Sequence, residues 1–471
     1  MARTLKQENT ERILHEKPLI KGLILLSIPV FLNNLLKSLH DMIDAIFVAR
    51  MPGYSESTID AALVSLNIHW PINGVLLALG TGLGIATVSI VSQYVGANRR
   101  DLAQKYASKL VILGIILALI VFFIYFFTSD RVLGYNLLAH IMGARGEALF
   151  FAGQYFRIRS YEVVFVFIFI IYQAIRQATG ETLKPVLLNT GAIILNIFLT
   201  YLFVSKFEMG VAGAGYSTLI AQGIMIPFII FDLFFSKKHL NISLKHMGID
   251  LKTVKDMSRF AVPATLGQAI SSLGFVFIQS AVLRYGDQVS AGFSVGNRIS
   301  SLLLNPVVAV STILAAYVGL NIGHNQPERA KESYRVARNL SFGIMVVGVI
   351  SFILFRRSIV ALVLGTTTTT SYDIAVEYTL WLLLTQPFMA LFQCYIGLFN
   401  GSGHSKFTLR LSIIRLWFLR IPMILIFMWI LPKDNYSGIW WAMILSNIII
   451  LFFGHKLKNE VKFELQVKMD V

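Results

Sequence analysis

The chain has 471 residues, 56% hydrophobic and 14% charged, with a mean hydropathy of +0.68, a balance that excludes a water-soluble globule and places most side chains against lipid or other apolar helices. The formal charge of +16 would suggest nucleic acid in a soluble protein, but basic residues held between apolar stretches are explained by loops that stay in the cytoplasm, so no nucleic-acid partner is expected. A single cysteine, Cys394, rules out an internal disulfide and any CxxC metal pair.

Met1 to Pro18 mix charged and apolar residues and lack the apolar core and small-residue cleavage site of a signal peptide, so the first span is expected to act as its own insertion signal. A crossing needs about 20 apolar residues. Twelve helices are predicted on that basis, near 20–49, 59–94, 103–127, 148–176, 183–205, 210–236, 253–284, 288–322, 328–355, 374–400, 407–431 and 436–456. An even number of spans puts both termini on one side. The tails and loops of that side hold 26 Lys and Arg, whereas the opposite loops hold only Arg50, Arg131, Arg145, Lys206, Arg284, Arg356, Arg357 and Lys433. The bias predicts a multi-pass protein of the cell (plasma) membrane with both termini cytoplasmic.

The halves repeat. Ser27-Ile-Pro29-Val in the first span answers Ala261-Val-Pro263-Ala in the seventh, and Tyr94-Val-Gly-Ala-Asn98 answers Tyr317-Val-Gly-Leu-Asn321. Gly180 and Gly213 likewise answer Gly403 and Gly438. Because both copies start from the same side, the expected fold class is an all-α polytopic membrane protein of about twelve transmembrane helices in two parallel six-helix pseudo-repeats. The expected division is an N-terminal lobe over 1–238, a polar cytoplasmic linker over 239–255 and a C-terminal lobe over 256–471.

Four ionisable groups, Lys37, His40, Asp41 and Asp44, fall within the otherwise apolar first span. A charge at the bilayer centre costs about 2.5–3.5 kcal/mol on insertion scales, so such groups face the bundle interior and usually have a task. Helical spacing puts Lys37, Asp41 and Asp44 on one stripe with His40 beside it. Lys37 can neutralise Asp41 one turn away, which leaves Asp44 as the carboxylate that takes a proton or sodium. A static buried network, or a solvated vestibule, is the competing reading. Other in-span bases are Arg157, Arg159, Arg298, Arg415 and Arg420, with Glu162 the obvious counter-ion. Arg157 and Arg159 either snorkel to the outer interface or turn inward. Asn297 and Arg298, with Lys37, His40 and Arg415, are candidates to line a substrate cavity. Gly80-Thr-Gly82-Leu-Gly84 lies inside a span with no strand before it and reads as close packing or a bend. No Walker loop occurs, so no ATP is expected, nor is an enzyme, since paired acids and His-rich metal sets are missing.

Several pieces in order resemble the multidrug and toxic compound extrusion family, of the superfamily that also holds oligosaccharide-lipid flippases. They are Pro29 with Asp44-Ala-Ile-Phe-Val, Gln93-Tyr-Val-Gly96-Ala, Asn196-Ile-Phe-Leu, Gly210-Val-Ala-Gly213-Ala before Thr218, and Arg415-Leu-Trp417 leading to Arg420-Ile-Pro422. The resemblance spans nearly the whole chain. It implies an antiporter in which a proton or sodium gradient drives export of amphipathic organic compounds, the lobes rocking between inward-open and outward-open states. It also implies an ion site in the first lobe, with Asp44 as the coupling carboxylate and Asn196 and Thr218 beside it. Asp41 has no counterpart in the family. Thr200 stands where the cation-binding branch carries a second carboxylate, and one carboxylate favours protonation over a tight sodium cage. Ser271 stands where some relatives carry a glutamate, so no coupling site is expected in the second lobe. No cofactor beyond the coupling ion is implied. The alternative reading is a flippase for a lipid-linked saccharide or other lipid, whose pyrophosphate Lys37, Arg298 and Arg415 would have to hold.

Overall fold

The structure, a computed structural model, describes residues 13, 18–129, 136–141, 144–236, 240–248, 251–364, 367–432 and 435–467. Among the described residues twelve helices are long and apolar enough to cross a membrane. They are α1 (Leu19–Ala49), α2 (Glu56–Gly96), α3 (Arg100–Ser129), α4 (Gly146–Ala178), α5 (Leu183–Lys206), α6 (Gly210–Phe235), α7 (Leu251–Leu283), α8 (Asp287–Gly323), α9 (Pro327–Leu354), α10 (Thr370–Gly401), α11 (Ser405–Ile430) and α12 (Ser437–Asn459). Each predicted span is present, its ends shifted by a few residues. The tenth begins earlier than expected, at Thr370.

The repeat is visible in the way the helices stop. Asn98 and Asn325 adopt left-handed φ angles of 58° and 57° just beyond α2 and α8. The amides of Arg99 and Gln326 bond back to the carbonyls of Tyr94 and Asn321 at 2.9 and 2.8 Å. That is the six-to-one closure of a Schellman cap, in which Asn tolerates the left-handed residue. Gly180 and Gly403 cap α4 and α10 in the same way, at φ 80° and 79°. Short helices, Leu137–Ile141 and Arg356–Leu364, follow α3 and α9. In addition, α5 ends in a π-helical segment, Tyr201–Lys206, and α11 contains another, Ile414–Arg420. Hydropathy signalled neither.

Packing repeats as well. α2 and α3 lie on α4, as α8 and α9 lie on α10, and α1 packs on α5 as α7 packs on α11. The inner helices are α2, α4, α8 and α10, with 56–61% of each span buried against 22–39% for α1, α3, α5, α6, α7, α9 and α11. The outer spans turn residues such as Ile194, Phe198, Phe228 and Phe231 outward, and on a membrane protein that surface meets lipid. The halves join through α2 with α7 and α8, and through α8 with α1. Glycine makes these contacts possible. A Cβ on Gly82 would lie 2.4 Å from the Cα of Thr265, one on Gly96 2.1 Å from the carbonyl oxygen of Leu320, and one on Gly323 2.2 Å from that of Gln93. The ends of α2 and α8 therefore pack against each other, and Gly82 is a point of close packing.

At this end the chain's extremities add to the closure. The Gln466 amide donates to Gln93 Oε1 at 2.9 Å, Gln93 Nε2 reaches the carbonyl of Gly401 at 3.4 Å, and the Arg329 guanidinium reaches the carbonyl of buried Ile13 at 3.1 Å. Nearby, the fully buried Arg176 of α4 donates from Nε to Asp232 of α6 at 2.7 Å and from Nη1 to the carbonyl of Leu240. Lys184 and Tyr172 share the same carboxylate. Removing the acid would strand a buried guanidinium, a loss of about 3–5 kcal/mol. Asp232→Ala is thus expected to lower the unfolding midpoint of the purified protein by several degrees, and an unchanged midpoint would show that the pair carries no stability.

Candidate ion and substrate site

Asp44 lies on α1 five residues before its end, at 5% exposure, facing α5 and α6. Thr200, the last residue before the π segment of α5, donates from Oγ1 to Asp44 Oδ1 at 3.2 Å and shares a 2.7 Å hydrogen bond with Ser217 of α6. Asn196, one turn earlier on α5, donates from Nδ2 to Thr218 Oγ1 at 3.1 Å and to Ser217 Oγ at 3.3 Å. Its Oδ1 is buried and accepts no hydrogen bond among the described residues. Such an orphaned acceptor is costly and fits a positively charged or proton-bearing guest. Three helices thus bring one carboxylate, an amide and three hydroxyls into a single buried cluster. His40, one turn before Asp44, places Nε2 3.6 Å from Asp44 Oδ2.

A second charged group borders this cluster. Arg159 of α4 holds Glu162 at 2.7 Å, one turn away, and Gln222 of α6 donates to the other Glu162 oxygen at 2.8 Å. Beside Arg159, His69 is buried against Tyr125, Tyr155 and Phe156. Asp44, Glu162 and Arg159 thus lie in an apolar surround at this end of the first half.

The residues singled out from sequence fall into distinct environments. Asp44, Asn196, Thr200 and Thr218 come together, with His40 beside them. The side chain of Asp41 lies outside the described residues. Lys37 is exposed, its Nζ 5.4 Å from the centre of the Phe169 ring. Arg157 and Arg159 part company: the former is exposed over Phe126, while the latter turns inward. In the second half Asn297 accepts from the Tyr378 hydroxyl at 3.2 Å, and Arg298 next to it is exposed. Arg415 is buried, its guanidinium 4.3 Å from the centre of the Phe392 ring. Sequence reading missed Ser217 and Gln222, and left undecided the inward turn of Arg159. The signal for the last was the three-residue spacing from Arg159 to Glu162 within an apolar helix.

The family model MatE matches this chain twice, over residues 29–202 and 263–426, one match in each half. The chain belongs to the MatE family. This MATE transporter is 26% identical, over 91% of its own length and 93% of the other's, to the probable multidrug resistance protein YpnP of Bacillus subtilis strain 168. It is 25% identical to the probable multidrug resistance protein NorM of Thermotoga maritima, over 85% and 84% of the two chains. A MOP superfamily transporter from Pyrococcus furiosus Vc1 shares the MATE fold, with a TM-score of 0.85 at 23% identity over 96% of this chain and 97% of that one.

Proposed function

We propose that this protein is a cation-coupled antiporter of the cell membrane, with both termini cytoplasmic, that exports amphipathic organic compounds by alternating access. The observation that carries the reading is the buried carboxylate of Asp44, bridged to α5 through Thr200. A buried carboxylate in such surroundings binds a cation tightly in one arrangement of the helices and releases it in another. Ion and substrate then favour different states, and movement of one down its gradient expels the other. In this reading the contact between the ends of α2 and α8 belongs to a state closed to the cytoplasm. The multidrug resistance proteins to which the chain is similar support drug-like organic compounds as substrates.

The proton is the favoured ion. Among the described residues one carboxylate touches the hydroxyl cluster, and Arg159 on α4 adds positive charge, which opposes a desolvated metal cation more than it opposes a neutral, protonated acid. Sodium is the second reading, favoured by the orphaned Asn196 Oδ1 and the surrounding hydroxyls, since alkali and alkaline-earth ions take oxygen ligands. A flippase fits less well: Lys37 lies over Phe169, Arg298 is exposed and Arg415 is stacked on Phe392, three separate settings for the three bases such a reading requires.

The test is transport of ethidium in vesicles containing the purified protein. An outwardly acidic gradient is expected to drive export, and a protonophore to collapse it, with an equal sodium gradient having little effect. Thr200→Asp, which supplies a second carboxylate, is expected to make transport respond to sodium. Export indifferent to both gradients would overturn the proposal.

A further inference from the structure

The two halves treat their buried arginines differently. In the first half each such guanidinium meets an acid: Arg159 meets Glu162, and Arg176 meets Asp232, both at 2.7 Å. In the second half Arg415 and Arg420 are 6% and 2% exposed, and no carboxylate among the described residues lies within ion-pair distance of either. Both belong to the π-helical segment Ile414–Arg420. Five residues separate them, the hydrogen-bond span of a π turn, so the wider coil keeps both on one side of α11 where an α-helix would rotate them apart.

Their partners are neutral. Arg420 donates from Nε to Ser446 Oγ at 2.9 Å and from Nη2 to Asn447 Oδ1, both on α12. Among the described residues Arg415 has only the sulfur of Met389 at 3.3 Å and the face of the Phe392 ring, and its buried Nε has no partner there. Each guanidinium carries five N–H donors. Arg420 satisfies two of them and Arg415 one, on a weak acceptor. Two permanent positive charges within an apolar span, short of acceptors and of counter-charge, are incomplete without an anion.

We propose that the second half holds an anion-binding site built from the Arg415 and Arg420 guanidiniums, with Ser446 and Asn447 fixing the orientation of Arg420. Its guest is an anionic group with several acceptor atoms or a compact charge: a free inorganic anion, or the carboxylate or phosphate of a transported compound. Planar guanidiniums suit such groups through paired hydrogen bonds. The protein then carries a cation site in one half and an anion site in the other. This rests on the antiporter reading only for the source of the guest.

The experiment is thermal unfolding of the purified full-length protein at fixed sodium concentration, with gluconate replaced stepwise by chloride, inorganic phosphate or 2-naphthoate. A saturable rise in midpoint is expected with at least one of these anions. Response to chloride or phosphate identifies a free ion as a guest, and response to naphthoate alone identifies the anionic group of an organic compound; either supports the site. Arg415→Gln and Arg420→Gln are expected to raise the half-saturating concentration about tenfold or more. If either Gln variant fails to accumulate, Arg415→Lys and Arg420→Lys keep the charge but not the fork, and are expected to weaken binding measurably. No saturable response, or one unchanged in the arginine variants, would overturn the proposal. The titration uses no gradient, so its failure leaves coupled export intact, and a failure of coupled export leaves this result readable.

Discussion

Asp44→Asn is expected to reduce gradient-driven export to the level of protein-free vesicles while the protein still inserts and folds. The amide has the shape of the acid, and its oxygen can still accept the hydrogen bond that Thr200 now gives Asp44 Oδ1. What it cannot do is gain and lose a positive partner. Coupling requires that ion occupancy differ between the two states of the helices, and a neutral side chain that never ionises removes that difference. Substrate binding, measured without a gradient, should persist. Uphill export retained in Asp44→Asn would remove Asp44 from the coupling role.

The second large effect is expected at the junction of α2 and α8. A side chain at Gly323 must enter the space of the Gln93 carbonyl, where a Cβ alone would stand 2.2 Å from the oxygen. The obstacle is backbone at the end of a capped helix, so no rotamer change relieves it. Overpacking of this kind costs about 1–3 kcal/mol, and because only the closed arrangement pays it, Gly323→Leu should shift the state ratio by roughly five- to hundred-fold towards the form open to the cytoplasm. Ser92, fully buried beside Gly319, is a suitable reporter. With Cys394 replaced by Ala, Ser92→Cys should be nearly inert to a thiol reagent in the otherwise native chain and react much faster with Gly323→Leu added. Equal reactivity in the two backgrounds would show that the glycine contact does not control closure.

Much of this architecture is legible in the chain because lipid imposes a simple rule: apolar runs of sufficient length become helices, and basic loops remain on one side. The Tyr94 and Tyr317 motifs marked the repeat one turn out of register: the caps are Asn98 and Asn325 and the contact glycines Gly96 and Gly323, so Tyr94 corresponds to Asn321 rather than to Tyr317. Depth within the bundle was harder to read. In spans that are apolar all round, nothing in the local pattern says which face meets protein and which meets lipid. Arg298 and Arg415 therefore looked alike, although one is exposed and the other buried. Arg159 was ambiguous for the same reason until α4 was fixed against α2, α3 and α6. The π segments had no signature in hydropathy at all, since one extra residue in a turn leaves composition unchanged. Yet one begins immediately after Thr200 and the other carries Arg415 and Arg420, so the irregular backbone lies where the buried polar groups gather.

Competition between substrate and proton can be read directly. When ethidium is added to the purified protein in weakly buffered solution near neutral pH, a pH indicator should record release of protons approaching one per substrate bound, and Asp44→Asn should bind ethidium without releasing any. Binding with no proton release from the native chain, in the absence of sodium, would contradict the account, as would release that persists when residue 44 is an amide.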